Sequence, residues 1–288
     1  MNTRQSATPI RPPYTTHDRP LVFAHRGGSA LAPENTAPAF ENGLALGADA
    51  LELDIHYTRD NEIVVFHDYT LERTTDGTGT VSALTLDELR RLDAGYRFTT
   101  DGGVTYPWRG KGVTILTLAE VFERFPGVRI NIEIKVGDEA NDRRFALLLR
   151  DRGWEERAMV GSFDNTTIAR FRALCEGRVA TSASSAEVRE YLLRVLFRAT
   201  RKMRPHYDAL QVPEVYRGIR VVSPTSIRLA HELDLDVHVW TVDARADMER
   251  LLDWGVDGVM SDRPDTLAEV YRARGWLAPD GVQSEPNE

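Results

Sequence analysis

Short apolar runs alternate with amphipathic stretches along most of the chain. The runs span residues 21–27, 50–58, 62–68, 129–135, 158–163, 178–182, 209–213, 236–242 and 257–261. Apolar positions recur with helical spacing over residues 36–46, 118–125, 143–150, 166–174, 224–233, 246–254 and 265–275. Strands that take turns with helices predict a parallel sheet with helical crossovers. A closed (β/α)8 barrel needs eight strands, and nine runs are present. Only Arg59-Asp60-Asn61 separates the second run from the third, too little for a parallel crossover. Those two runs therefore predict an antiparallel hairpin turning at Asp60-Asn61, and eight parallel strands remain. The segment 69–117 is rich in Thr, Gly and Asp, with one short helical pattern over 85–92. It reads as a small subdomain inserted after the hairpin, over the catalytic end of the barrel. Residues 1–18 and 279–288 are polar, contain proline and lack any period, which predicts tails flanking a barrel over 19–278.

Composition narrows the picture without changing it. A length of 288 residues suits one α/β barrel, and 42% hydrophobic residues supply its core. The net charge of −8 argues against nucleic acid as a partner. Cys175 is the sole cysteine, so neither an internal disulfide nor a thiolate metal site is available. No run is long and apolar enough to span a bilayer, and residues 1–20 do not resemble a secretory signal, so a cytoplasmic protein is expected.

Ionisable residues inside apolar runs carry the chemistry. Residues two apart on a strand share a face, so Glu52 and Asp54 point together, as do Glu133 and Lys135. Ionised groups in a barrel strand are costly unless paired or metal-bound. A two-residue turn at Asp60-Asn61 places His67 opposite Asp54 on the same face, with Cβ atoms about 5 Å apart. His25 ends the first run beside the Glu52 strand, followed by Arg26, Gly27 and Gly28. Three carboxylates without cysteine form a hard oxygen site suited to one divalent cation, Mg²⁺ or Ca²⁺. Two imidazoles can serve as general acid and base, and Arg26 and Lys135 supply positive charge for a phosphoryl group. The set describes displacement at phosphorus.

The chain resembles the glycerophosphodiester phosphodiesterases. The resemblance rests on His25-Arg26-Gly27-Gly28, Pro33-Glu34-Asn35-Thr36, Glu52-Leu53-Asp54, His67-Asp68, the run from Arg73 to Gly79, Glu133-Ile134-Lys135, Trp240-Thr241-Val242 and the run from Asp257 to Asp262. It covers about residues 20–275. It implies a TIM barrel with a small inserted subdomain, and metal-dependent hydrolysis of glycerophosphodiesters to sn-glycerol 3-phosphate and an alcohol. It implies Glu52, Asp54 and Glu133 as metal ligands and His25 and His67 as the catalytic pair. Arg26 and Lys135 would contact phosphate, and Trp240 would pack on the substrate's carbon skeleton. Asp243 departs from the family, which often has Asn there.

Plainer readings stand beside these. Glu133 and Lys135 could pair with each other, Glu52 and Asp54 could lie in buried ion pairs, and Trp240 could be core filler. His17, His56, His206, His231 and His238 are read as structural, although His56 shares the face of Glu52 and Asp54. A related phosphodiesterase acting on lysophospholipids or phospholipids is the alternative function, and a non-catalytic barrel binding phosphate ligands is a third. Residues 186–203 predict one amphipathic helix whose apolar side meets the barrel. Arg189, Arg194, Arg198, Arg201 and Lys202 make it basic, so it could also touch a membrane surface weakly.

Overall fold

The computed structural model describes residues 12–278; the expected tails at 1–11 and 279–288 lie outside the described residues. Eleven strands occur among them: β1 (Leu21–Ala24), β2 (Ala50–Tyr57), β3 (Ile63–Val65), β4 (Arg129–Ile134), β5 (Ala158–Gly161), β6 (Ala180–Thr181), β7 (Ala209–Pro213), β8 (Val215–Tyr216), β9 (Ile219–Arg220), β10 (Asp236–Trp240) and β11 (Gly258–Ser261). Eight of them pair in parallel in the order β6-β5-β4-β2-β1-β11-β10-β7. A parallel bridge between Ser182 and Ala209 joins the two ends, so the sheet closes into the expected TIM barrel.

Side-chain alternation sorts the barrel strands into two faces. Leu51, Leu53 and Ile55 point outward into a core shared with Phe40, Val121 and Phe122 of the surrounding helices. Phe23, Ala50, Met159, Ala180, Ala209 and Met260 fill the inside. Tyr14 joins that interior cluster and is 1% exposed. Within residues 12–18, anticipated as part of a tail, Tyr14 and Thr15 are thus packed: Pro13–Thr15 forms one 3₁₀ turn, and Arg129 donates to the carbonyls of Tyr14 and Thr16. A barrel interior must be closed at the base, and an aromatic ring from the N-terminal segment closes this one.

The hairpin forms between β2 and β3, but with a different turn from the one anticipated. Ile55 faces Val65 and Tyr57 faces Ile63. The loop therefore has three residues, Arg59 to Asn61, with Asn61 at φ +62° and its N–H donating to Thr58 O. This is a three-residue hairpin loop that ends on a left-handed residue. The Thr58 hydroxyl, which donates to Asp60 and accepts from Glu62 N–H, selects it. Continued as a ladder, this register would put Phe66, not His67, opposite Asp54. However, β3 ends at Val65, and Phe66 N–H donates to Asp54 O before the chain turns away. His67 reaches the Asp54 side through that departure, not through strand pairing.

Nine α-helices occur among the described residues: α1 (Ala37–Ala45), α2 (Leu86–Leu89), α3 (Leu118–Arg124), α4 (Glu139–Asp151), α5 (Asn165–Cys175), α6 (Ser185–Leu196), α7 (Pro224–His231), α8 (Arg245–Trp254) and α9 (Pro264–Ala273). Capping boxes start α2, α3 and α6 at Thr85/Glu88, Thr117/Glu120 and Ser184/Glu187. The segment 69–117 has its own small core of Leu71, Val81, Leu89, Val113 and Ile115 packed on Val64 and Phe66. The helix expected over 186–203 stops at Leu196. Arg198 adopts φ +53°, its N–H donates to Val195 O, and Ala199 N–H donates to Arg194 O. That bond pair is a Schellman cap, which ends the helix and lets Met203 turn back into the core. The sequence reading did not anticipate the β8–β9 ribbon, whose turn residues Arg217 and Gly218 both have positive φ.

Candidate active site

The site is built at the C-terminal ends of the barrel strands. At the end of β1 the chain makes a 3₁₀ turn over His25–Gly27, with Arg26 at φ +50° and Gly27 at φ +85°. A Cβ on Gly27 would sit 2.7 Å from the Ala39 backbone, so both the dihedral and the contact with α1 require glycine. The turn aims the Arg26 N–H at Glu52, at 2.9 Å to Oε2. On β2 and β4, Asp54 and Glu133 are register neighbours, so the sheet itself sets two carboxylates side by side.

A pocket of about 160 Å³ results, lined among others by His25, Arg26, Glu52, Asp54, His67, Glu133, Lys135 and Trp240. All eight residues singled out from the sequence meet there. Trp240 is half-buried and packs edge-on against Phe163, with centroids 5.9 Å apart.

Each imidazole is tethered through Nδ1 to a carboxylate: His25 to Asp262 Oδ1 and His67 to Asp68 Oδ1, both at 2.6 Å. Such a partner orients the ring and favours the tautomer protonated on Nδ1, which leaves Nε2 for chemistry. His25 Nε2 lies 3.8 Å from Glu52 Oε2. Asp68 and Asp262 carry no signal in the sequence beyond adjacency to His67 and to the end of β11. Asp243 accepts from the Ser261 hydroxyl and from Asp262 N–H, both at 2.9 Å, and so fixes the carboxylate that fixes His25. Arg73 spans Asp68 and Glu34, tying the inserted segment to the site. His56 stays outside the pocket and holds the His67 carbonyl through Nε2 at 3.1 Å.

Lys135 Nζ bridges Asp54 Oδ1 at 2.9 Å and Glu133 Oε1 at 3.0 Å. The internal pairing weighed above is therefore present. Arg26 donates to Glu34 at 3.1 Å, and Asn35 donates to Asp54 at 3.0 Å. Three carboxylates face two permanent cations. Burial, then the charge of Asp54, pushes Glu52 up to about 7, against the pull of His25 and Arg26. Burial alone would raise Asp54, but Lys135, His67 and Arg26 hold it below the usual carboxylate range. Glu133 is raised by burial despite Lys135. Burial works against a charged His25, yet Glu52 and Asp262 outweigh it and shift the ring upward. Burial dominates at His67 and shifts that ring downward, against Asp54 and Asp68.

The donor set suits a hard divalent cation: three carboxylates, no sulfur, and one more acid than the resident cations balance. Among the described residues no three of these donors already surround a common centre, and Lys135 lies between two of them. The ammonium engages one oxygen of each carboxylate, so a cation would share these two acids with it or displace it.

Comparison with known proteins agrees with the geometry. The sequence profile of the glycerophosphoryl diester phosphodiesterase family matches residues 25–266. A glycerophosphodiester phosphodiesterase of Caldanaerobacter subterraneus subsp. tengcongensis is 33% identical, over 88% of this chain and 99% of its own. Among solved structures, the glycerophosphoryl diester phosphodiesterase domain of an uncharacterized Mycobacterium tuberculosis protein shares the fold, with a TM-score of 0.77 at 23% identity over 88% of this chain and 99% of that one. An Oleispira antarctica phosphodiesterase, solved in complex with the product sn-glycerol-3-phosphate, superposes with a TM-score of 0.69 at 25% identity over 88% of this chain and 97% of that one.

Proposed function

The chain belongs to the glycerophosphoryl diester phosphodiesterase family, and from that premise we propose that it hydrolyses glycerophosphodiesters to sn-glycerol 3-phosphate and an alcohol by acid–base catalysis at His25 and His67 with one divalent cation. The observation that carries the reading is the pair of carboxylate-tethered imidazoles lining one pocket with three carboxylates.

Glu52, Asp54 and Glu133 would hold Mg²⁺ or Ca²⁺, and when bound the ion supplies Lewis acidity toward the phosphoryl oxygens. One imidazole takes the proton from the attacking oxygen as its bond to phosphorus forms. The other gives a proton to the alkoxide as the phosphorus–oxygen ester bond breaks. Arg26 Nε makes no hydrogen bond, lying 3.6 Å from Asp54 Oδ2, and the guanidinium would turn a donor to a phosphate oxygen. Lys135, beside Asp54 and Glu133, would supply a second positive charge. Trp240 and Phe163 would cover the carbon skeleton of the substrate.

A panel of glycerophosphodiesters assayed for glycerol 3-phosphate release, with and without chelator, tests this. Turnover that stops with chelator and returns with Mg²⁺ or Ca²⁺ is expected; undiminished release in chelator would remove the metal from the account. Turnover of lysophospholipids is a second reading. One observation favours it: a groove runs outward from His67 and Lys135 past Tyr69 and Phe163, 61% and 56% exposed. A preference for long-chain substrates over glycerophosphocholine in the same panel would select it.

A further inference from the structure

α6 is more apolar and more basic than barrel packing requires. Its inner side does the packing: Tyr191 is buried, and Val188, Leu192 and Val195 lean on the core. Its last turns leave Leu193, Leu196 and Phe197 outside, at 56%, 72% and 74% exposure. Single exposed apolar residues are ordinary, but three that adjoin mark a contact surface. Arg189, Arg198, Arg201 and Lys202 surround them, all exposed and none in an ion pair among the described residues. Several other surface arginines of this acidic chain are matched, as in Arg124–Glu41, Arg152–Glu123 and Arg245–Glu249, while Arg91, Arg143, Arg144 and Arg217 are exposed with no ion pair among the described residues. What sets this patch apart on a chain of net charge −8 is that its four unmatched cations adjoin three exposed apolar side chains.

The patch lies at a defined place on the barrel. α6 starts beside the mouth, where Ser185 Oγ donates to Phe163 O, and runs about 18 Å to its cap. The return segment to β7 borders a cavity shared with Pro12, Tyr207 and Leu233, at the base of the barrel. The three apolar tips therefore sit on the face opposite the catalytic pocket.

We propose that this patch docks the protein on an anionic lipid bilayer. Leu193, Leu196 and Phe197 enter the interface while the four cations meet the negative headgroups. Charge favours this occupant over a second copy of the chain, since a two-fold contact would press two basic clusters together. Nucleic acid would reward the cations but give nothing for three apolar tips. Docked this way, the barrel mouth opens toward water, and the bound protein acts on water-soluble diesters. That last clause rests on the mouth being the catalytic site.

Vesicle sedimentation tests the proposal on the full chain, using phosphatidylcholine vesicles with and without phosphatidylserine. The expected result is co-sedimentation with the anionic vesicles only, suppressed by salt. Binding should fall at least about tenfold in Arg189→Glu/Arg201→Glu/Lys202→Glu and in Leu196→Ser/Phe197→Ser. A control variant in the ribbon at the mouth, Tyr216→Ser/Ile219→Ser, should bind as the parent does. Absence of co-sedimentation, binding that survives both patch variants, or loss in the ribbon control instead overturns the proposal. So does a dimer in gel filtration that Leu196→Ser/Phe197→Ser dissolves. Glycerophosphocholine turnover is measured on the same samples. Its absence in free protein would retire the catalytic reading and leave the docking result intact. Its loss only on vesicle binding would contradict the outward-facing mouth.

Discussion

Lys135 is the residue on which the site's charge balance turns. Its ammonium neutralises Asp54 and Glu133 from within, and a divalent cation held by the same acids would feel its charge. Lys135→Met removes that ammonium, leaving the buried Asp54 with only Asn35 and, at 3.6 Å, Arg26, and the half-buried Glu133 without its cation; removing one member of a buried pair is destabilising by about 3–5 kcal/mol, and the exposure of Glu133 puts this case at or below the lower end. The variant should therefore have a lower Tm than the parent in chelator, a larger rise in Tm on adding Mg²⁺, and lower kcat/KM. A metal-induced rise in Tm no larger than the parent's would place the ion elsewhere. The two histidines offer a second test at this scale. In chelator-treated protein, NMR titration should place His25 above the ordinary imidazole value of 6.5 and His67 below it. Since the folded His25 value exceeds the unfolded one, its contacts stabilise the fold fully below the unfolded value, and this contribution is lost as pH rises through the folded value. The reverse order of the two rings would contradict the electrostatics described here.

Elements explain which parts of the site were legible in the sequence. Glu52, Asp54, Glu133 and Lys135 stood out because each interrupts an apolar barrel strand, where an ion is costly without a purpose. Asp68 and Asp262 did not, because an acid just past a strand end is ordinary on a surface; only the fold shows each against an imidazole. The hairpin was legible as an element but not in register, because the Thr58 hydroxyl selected a three-residue loop that periodicity does not encode. His67 still met Asp54 because β3 is too short to carry the register that far. The end of α6 was hidden for a related reason: the amphipathic pattern runs past Leu196, and a non-glycine residue, Arg198, provides the left-handed cap. The turn after β1 makes a prediction at this scale. Gly27→Ala forces a side chain into the Ala39 backbone at positive φ and should cost about 1–3 kcal/mol while displacing His25 and Arg26. Equilibrium unfolding together with kcat checks it; unchanged kcat would show that the turn does not position the imidazole.

At the scale of the whole molecule, barrel closure is what brings β1, β2, β4 and β11 to one rim, so that groups as distant in sequence as His25 and Asp262 touch. The base of the same barrel is sealed by Tyr14, which sequence pattern assigned to a tail because its packing exists only once the barrel has closed. Tyr14→Ala should lower stability by about 3–5 kcal/mol in denaturant titration while folded protein keeps its kcat, since the ring lies at the end opposite the mouth. The central claim is that the two tethered imidazoles divide the proton transfers. The most direct measurement compares His25→Ala and His67→Ala, with metal saturating, on glycerophosphocholine and on a glycerophosphodiester bearing a nitrophenyl leaving group. Both variants should lose at least about 10²-fold on glycerophosphocholine, and one of them alone should recover on the activated ester, whose departure needs no proton. Activity within about tenfold of the parent on glycerophosphocholine for either variant, or recovery of both on the activated ester, would contradict the account.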